Sequence, residues 1–237
     1  MRSKRSRDSR AAAQFAADAE YAESIFRTAL GDTSASIAAL KRALDIDPEY
    51  APAILSMGSV EYQLKRRASG KRMFLSLLAL PEETEDLCKI IDEAGSFLID
   101  ANEYADGLEL FRLAAHRFPN VAEFQQGIGC CAGHEKFTDE ALAASRRAVD
   151  LDATKAAYVS DLGWTLVLAE RYMEAEVMFQ RALAIDPSDE RAQANLEYCR
   201  EKMVKKPASN SQSDGRTASG SPIQKSVRTR HKTRGKP

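Results

Sequence analysis

The sequence predicts an all-α protein, a helical-repeat solenoid of about five tandem antiparallel helix pairs followed by a C-terminal capping helix. Small residues recur at intervals of 34 positions in two series, Gly95, Gly129 and Gly163, and Ala114, Ala148 and Ala182. Pro119 and Pro187 close two of these units at equivalent positions, with Ala153 in the third. Apolar residues between them keep the three- and four-residue spacing of one helix face. A repeat near 34 residues is typical of stacked helix–turn–helix units.

The first predicted helix pair lies at the N-terminal end of the array. Residues 11–30 are rich in alanine, which favours a helix, and Gly31 ends it. Residues 34–45 predict the partner helix, because their apolar residues fall on one face. This second helix ends before Pro48, since the residue before a proline avoids the helical backbone conformation.

The second predicted pair carries Met57 on one helix and Phe74 on its partner. Gly58 and Gly95 are 37 positions apart instead of 34, so about three extra residues must lie between these units. We expect them to lengthen the turn near residues 81–84.

The predicted units cover about residues 17–50, 51–84, 88–121, 122–155 and 156–189. Residues 190–203 predict a final helix with one apolar stripe, formed by Ala192, Leu196, Cys199 and Met203. The other side of this helix is polar, as the exposed end of a repeat array requires.

Charge divides the chain into three parts. The formal net charge of the whole chain is −1. Residues 1–10 carry five basic side chains against one acidic, and residues 204–237 carry nine against one, which leaves −13 for the body between them. Residues 204–237 are also nearly devoid of large apolar groups, so we expect them to be a basic disordered tail, and we expect residues 1–10 to be a basic disordered arm.

The repeated pattern resembles the tetratricopeptide repeat (TPR) family over about residues 17–203. The clearest unit shows it on its first helix and then on its second: Val159, Leu162, Gly163 and Leu166, then Tyr172, Ala175, Phe179, Ala182 and Pro187. Small residues at these positions let paired helices approach closely. The pattern is broken where Ser24 replaces the glycine, Gln125 replaces a large apolar residue and Phe137 stands one position early.

The resemblance implies a non-enzymatic protein-binding adaptor, scaffold or co-chaperone-like module whose first helices line a concave groove. The residues expected on that groove are Tyr62, Gln63, Lys89, Asp92, Glu93, Ser96, Asp100, Glu123, Gln126, Cys130, His134, Ser160, Asp161, Trp164 and Leu168. Its several acids and the single Lys89 do not fit the basic clamp with which some relatives hold chaperone C-termini. An acidic groove predicts a partner with a basic or amphipathic segment. Trp164 is either an interface anchor or a packing residue between units.

No motif in the sequence indicates catalysis, a cofactor or a metal. Cys130 and His134 lie one helical turn apart and could face a zinc ion, but two ligands do not make a site. The alternative is a buried thiol and a surface imidazole. The glycines recur at the repeat interval and form no phosphate-binding loop. We therefore expect no catalytic, cofactor-binding or metal-binding residues.

The basic ends allow other hypotheses. The tail could contact nucleic acid or an anionic membrane surface without sequence specificity, because it has no interleaved aromatic residues. It could instead compete for the acidic groove, which would make the protein a tail-autoinhibited adaptor. No window is apolar enough to span a bilayer, and the cysteines follow no disulfide pattern, so we expect a cytoplasmic protein. The Arg- and Ser-rich start weakly resembles an organelle transit peptide.

Overall fold

The computed structural model describes the backbone of residues 2–205 and the side chains of residues 12–204. The chain divides into two units, residues 1–205 and residues 206–237. The predicted disordered tail therefore lies, apart from its first two residues, outside the described part of the chain. No β-strand occurs in that described part.

Residues 2–205 form eleven α-helices, of which the first ten follow one another as five antiparallel pairs. They are α1 (Arg2–Ala29), α2 (Thr33–Ile46), α3 (Ala51–Gln63), α4 (Arg67–Ser76), α5 (Leu87–Asp100), α6 (Tyr104–Arg117), α7 (Ala122–His134), α8 (Thr138–Leu151), α9 (Ala156–Leu168), α10 (Tyr172–Ile185) and α11 (Glu190–Lys205). The predicted all-α solenoid of helix pairs is confirmed. Each of α3, α5, α7 and α9 contacts the first helix of the next unit, or α11 at the end, so these helices form a continuous inner layer.

Helix α1 is longer than the sequence suggested. It begins at Arg2, so it includes residues 2–10, which we expected to be a disordered arm. These residues contain no glycine or proline and run directly into Ala11, Ala12 and Ala13. Alanine and arginine both have high helix propensity, which lets a helix formed at residue 29 continue toward the N-terminus.

Each helix pair turns through one residue in the left-handed backbone conformation. The five residues, with their φ angles, are Gly31 (75°), Lys65 (62°), Asn102 (59°), Lys136 (66°) and Glu170 (58°). Around Asn102, its own N–H donates to the Ile99 carbonyl and the Glu103 N–H donates to the Leu98 carbonyl. This is the Schellman pattern that ends a helix with its last carbonyls satisfied. The turn geometry is thus repeated although four of the five residues are not glycine.

Glycines on the first helices hold the aromatic residues of the second helices. A Cβ added to Gly95 would lie 2.1 Å from Cζ of Phe111, and one added to Gly163 would lie 2.7 Å from Cε1 of Phe179. Both phenylalanines are fully buried. The close helix–helix approach predicted from the repeated small residues is present in the structure.

The extra residues between the second and third units form a turn of 3-10 helix, Leu77–Ala79, and a loop that runs to Asp86. The Arg117 guanidinium donates to the carbonyl oxygens of Leu78 at 2.6 Å and Leu80 at 2.7 Å. Because Leu80 is itself buried, this loop is fastened to the array.

Helix α11 closes the C-terminal end of the described array. Ala192, Leu196 and Cys199 are buried in the same core cluster as Phe179 and Ala182. Met203 packs against that cluster while only partly buried. The predicted apolar stripe of this helix therefore faces the last pair.

The three residues that depart from the repeat pattern lie in different environments. Ser24 is buried, and its hydroxyl donates to the Tyr21 carbonyl at 2.6 Å. Gln125 is partly exposed, as its polarity suggested. Phe137 precedes the first residue of α8 and is half-exposed, with the Arg112 guanidinium 5.8 Å from its ring centre.

Candidate functional site

A pocket of about 550 Å³ lies on the inner layer, formed mainly by α5, α7 and α9. We call it the groove pocket. The predicted groove residues that line it are Asp92, Ser96, Glu123, Gln126, Cys130, His134, Asp161, Trp164 and Leu168. The remaining lining residues are Ile99, Phe111, Gly127, Gly129, Gly133, Lys136, Thr138, Thr165 and Arg191.

The floor of the groove pocket is α7, which contacts both α5 and α9. Three glycines of this helix, Gly127, Gly129 and Gly133, line the pocket. A Cβ added to Gly127 would meet the Phe111 ring at 2.4 Å, so the floor helix sits directly on the core. The missing side chains at Gly127 and Gly129 let neighbouring core residues pack directly against this helix.

On the α9 wall, the carboxylate of Asp161 has two partners on different elements. The side-chain amide of Gln126 donates to its Oδ2 atom, and the Arg191 guanidinium lies 3.3 Å from its Oδ1 atom. Burial raises the pKa of Asp161, although Gln126 and Arg191 both favour the charged form. The carboxylate is therefore less stabilised by its neighbours than it would be by water.

Two more carboxylates line the opposite part of the pocket. Burial raises the pKa of Asp92, and the nearby charge of Glu123 raises it further. Glu123 is also subject to burial, but hydrogen bonds outweigh it, among them those from Tyr158 at 2.8 Å and Lys155 at 3.3 Å, and its pKa is lowered. No hydrogen bond or ion pair joins Asp92 to another described residue, and the charge of Lys155 offsets only part of the effect of burial on its pKa.

Apolar surface lies beside the Asp161 carboxylate. Trp164 is 36% exposed and Leu168 is 48% exposed, and both line the pocket from α9. The Trp164 ring also packs against Tyr198 of α11, with ring centres 5.8 Å apart. Trp164 thus packs between elements, remains about one-third exposed and lines the pocket.

The cysteine and histidine side chains of α7 are not arranged as a reactive or metal-binding group. Burial raises the pKa of the Cys130 thiol to about 11 and that of the Cys131 thiol to about 12, so both are neutral near pH 7. The His134 ring stacks on Tyr104 with ring centres 3.8 Å apart. Among the described residues, no group of three or more His, Cys, Asp or Glu side chains is placed to hold a metal ion.

The other predicted groove residues lie elsewhere. Gln63 and Asp100 line a smaller recess of about 400 Å³ together with Tyr62. Tyr62 is only 7% exposed, because its ring stacks on Phe74 and its hydroxyl donates to Asp106 at 2.9 Å. Its ring therefore lies mostly in the core, although it still borders the recess.

Three more predicted groove residues do not line the groove pocket. Ser160 is 1% exposed, so it belongs to the core and not to the surface. Lys89 and Glu93 are exposed and form an ion pair at 3.9 Å on α5, outside the groove pocket.

The sequence analysis missed Arg191 and the two off-register glycines, Gly127 and Gly133. Arg191 belongs to a helix that we expected to serve only as an end cap. The glycines gave a signal, because α7 carries three glycines where the repeat pattern requires one. Extra glycines in a helix lower its stability and so suggest a position where space is needed.

A third recess, of about 670 Å³, has no basic side chain on its lining among the described residues. Six carboxylates line it, namely Asp18, Asp47, Glu49, Glu83, Glu85 and Asp86. The acidic character of the body is thus spread over more than one surface. None of the helices within residues 2–205 is long and apolar enough to cross a lipid bilayer.

Comparisons with known proteins agree with the geometry. Residues 24–50 match the family model described as tetratricopeptide repeat. No curated protein sequence matches the chain. Among solved structures, YrrB, described as a TPR protein with an unusual peptide-binding site, is 22% identical, with 75% of this chain and 90% of YrrB covered and a TM-score of 0.53.

Two other solved structures show the same fold. A thermophilic TPR protein of Thermus thermophilus is 18% identical, with 78% of this chain and 100% of that protein covered and a TM-score of 0.52. PilF of Pseudomonas aeruginosa is 14% identical, with 82% of this chain and 93% of that protein covered and a TM-score of 0.54. At these identities the likeness concerns the fold.

Proposed function

We propose that this chain, which has the fold of tetratricopeptide repeat proteins, is a non-enzymatic interaction module, an adaptor or scaffold that binds a segment of a partner protein in the groove pocket. The TPR fold supports the general class, because such arrays present a long surface of stacked helices to a partner. The choice of the groove pocket depends on the features of this chain.

One observation carries the proposal: the groove pocket combines partly buried carboxylates, whose pKa burial raises, with exposed apolar side chains. Its volume of about 550 Å³ is in the range of sites that enclose a ligand or a few side chains. Asp92 and Asp161 are partly buried charges that cost stability, while Trp164 and Leu168 expose apolar surface. A bound segment that covers the apolar surface and brings positive charge would relieve both costs.

The partner segment is proposed to be basic or amphipathic. The body of the chain carries a net charge of −13 over residues 11–203, so a basic segment is attracted before contact. The cationic side chains on the pocket lining, Lys136 and Arg191, are outnumbered by its three carboxylates. A cytoplasmic location is part of this proposal, and the four free thiols are compatible with a reducing compartment.

The test is affinity capture from native lysate with a groove variant and a matched control. Asp92→Asn/Asp161→Asn removes two groove charges, while Asp45→Asn/Asp150→Asn removes two exposed charges on second helices away from every pocket. A partner should be retained by the wild type and by the control and should be lost from the groove variant. If both variants retain the same proteins equally well, the groove is not the binding site.

The basic tail supports the alternative function, an electrostatic tether to nucleic acid or anionic membrane. Residues 204–237 carry a net charge of +8, although nearly all of them lie outside the described residues. Under this hypothesis, a chain ending at Lys205 should lose the association, and added salt or nuclease should abolish it in the full chain. Under the autoinhibition hypothesis, the same shortened chain should bind its partner more tightly than the full chain.

A further inference from the structure

We propose that Asp161 is the binding site for a cationic side chain of the partner and that Arg191 occupies this site until the partner displaces it. This inference rests on the proposed function, because it names the chemistry that the groove pocket recognises. It assigns α11 a second role, as the element that supplies an internal substitute for the ligand.

The geometry of the carboxylate supports the assignment. Gln126, one unit earlier in the array, donates to Oδ2 of Asp161 and so fixes the orientation of the carboxylate. The second oxygen, Oδ1, faces the guanidinium of Arg191. One oxygen is therefore held by a neutral donor, and the other is presented to a cation.

The arginine that occupies the site is weakly held. Its side chain is 62% exposed, whereas that of Asp161 is 31% exposed, and a single N–O distance of 3.3 Å joins them. The pair between Arg112 and Glu140 differs, since two guanidinium nitrogens of Arg112 donate to the two oxygens of Glu140. A long, single contact from an exposed arginine contributes little to stability, so a ligand can replace it at small cost.

The Asp161 carboxylate can form a stronger ion pair than the one it forms with Arg191. Burial is the largest influence on the pKa of this carboxylate, and burial together with the nearby charge of Asp189 outweighs Gln126 and Arg191. A cation delivered by a bound segment that also excludes water would interact with Oδ1 more strongly than an arginine that is mostly in solvent. The buried carboxylate thus favours a cationic ligand over the internal one.

Apolar surface next to Asp161 fits the rest of such a side chain. Trp164 and Leu168 lie on the same helix, three and seven residues after Asp161, and therefore on one face with it. The exposed part of the Trp164 ring offers a surface for the aliphatic stem of arginine or lysine, or for a guanidinium plane. Carboxylate and aromatic ring together select a long cationic side chain over a short polar one.

The experiment titrates the full-length protein with the tripeptide acetyl-Leu-Arg-Leu-amide and follows the fluorescence of Trp164, the only tryptophan in the chain. The counterpart with citrulline in place of arginine keeps the shape and removes the charge. We expect a saturable signal with the arginine peptide and at least about 5-fold weaker binding of the citrulline peptide. Asp161→Asn should remove this preference.

The displacement is tested with Arg191→Ala and, as the matched control on the same helix, Arg200→Ala. Arg200 is paired with Glu176 at 2.8 Å and does not line the groove pocket. Arg191→Ala should bind the arginine peptide about 2- to 5-fold more tightly, because no internal cation has to leave, and Arg200→Ala should bind it as the wild type does. Arg191→Gln replaces Arg191→Ala if circular dichroism shows that the alanine variant loses helix.

Three results would overturn the inference: equal binding of the two peptides, unchanged or weaker binding by the Arg191 variant, or no binding of the arginine peptide by fluorescence and calorimetry. None of these would affect the capture experiment with Asp92→Asn/Asp161→Asn. A groove that retains its partner but shows no preference for arginine would refute only the cation site. The groove function itself is refuted only if Asp92→Asn/Asp161→Asn and its control retain the same proteins equally well in the capture experiment.

Discussion

Gly95 shows how little space separates the two helices of a pair. An added Cβ would lie 2.1 Å from Cζ of Phe111, which is buried and cannot move away without disturbing the core. We expect Gly95→Ala to lower the free energy of unfolding by about 1–2 kcal/mol, since the cost of overpacking exceeds the gain in helix propensity. Urea denaturation followed by circular dichroism measures this change.

Gly133→Ala is the control for this prediction. Its added Cβ would lie 3.3 Å from Cδ1 of Leu168, which is the end of a flexible and half-exposed side chain. This variant should be as stable as the wild type or up to about 1 kcal/mol more stable, because alanine favours the helix. Equal destabilisation by both substitutions would mean that the Phe111 contact is not the reason for Gly95.

Asp92 gives a prediction about pH. Burial raises the pKa of its carboxyl above the ordinary 3.8, so the ionised form disfavours the folded state. The stability that the protonated group contributes is present below about pH 3.8 and is lost as the pH rises through the higher value of the folded state. Asp92→Asn cannot ionise, so its melting temperature at pH 7 should exceed that of the wild type by about 1–2 °C.

The difference between Asp92→Asn and the wild type should shrink as the pH is lowered toward 3.8, which thermal melts at several pH values will show. Asp150→Asn removes an exposed carboxylate of α8 and should leave the melting temperature unchanged at pH 7. If Asp92→Asn is less stable than the wild type at pH 7, interactions of the ionised Asp92 carboxylate outweigh the cost of its burial.

At the scale of single residues, the sequence correctly predicted burial for side chains that pack within their own repeat. It did not predict burial for side chains whose contacts lie outside their own repeat. Phe179 is buried because the helix spacing of its own unit places it opposite Gly163. Ser160 has the position of a groove residue, yet it is buried in the packed array. Tyr62 is held in the core by Asp106, a residue 44 positions later, and no local pattern reports that contact.

At the scale of elements, the loop between α4 and α5 is the irregular part of the array. Two carbonyl oxygens of this loop accept hydrogen bonds from Arg117 of α6. Arg117→Ala leaves both acceptors without this partner, so we expect a loss of about 1–3 kcal/mol in the free energy of unfolding. Hydrogen exchange should also become faster at the amides of residues 77–86.

Arg117→Lys separates charge from geometry in that experiment. A lysine keeps the positive charge near Glu82 but does not reproduce the fixed fork that reaches both carbonyl groups. It should therefore recover only part of the lost stability and protection. Full recovery by lysine would show that charge alone holds the loop.

The element scale also shows what spacing can and cannot predict. The interval of 37 residues between Gly58 and Gly95 located the lengthened turn near residues 81–84, and the loop is there. The left-handed turns at Lys65, Lys136 and Glu170 were not foreseen, because glycine is the usual residue at such positions. The helix contacts that fix those turns override the preference of the residue.

At the scale of the whole molecule, the array depends on its last helix. Removal of residues 190–237 exposes the apolar surface that Ala192, Leu196 and Cys199 cover. We expect this truncation to cost about 3 kcal/mol and to lower the melting temperature by more than about 5 °C. A chain ending at Lys205 is the control, since it keeps every described helix; equal melting temperatures of the two shortened chains would contradict the capping role of α11.

The central claim, that a partner segment binds in the groove pocket, is tested most directly by site-specific photocrosslinking. A photoreactive phenylalanine analogue replaces Leu168, which lines the pocket, or Met173, which is 79% exposed on α10 outside it. The account predicts that the partner identified by capture is crosslinked from position 168 and not from position 173. Crosslinking from position 173 alone, or equally from both positions, would contradict it.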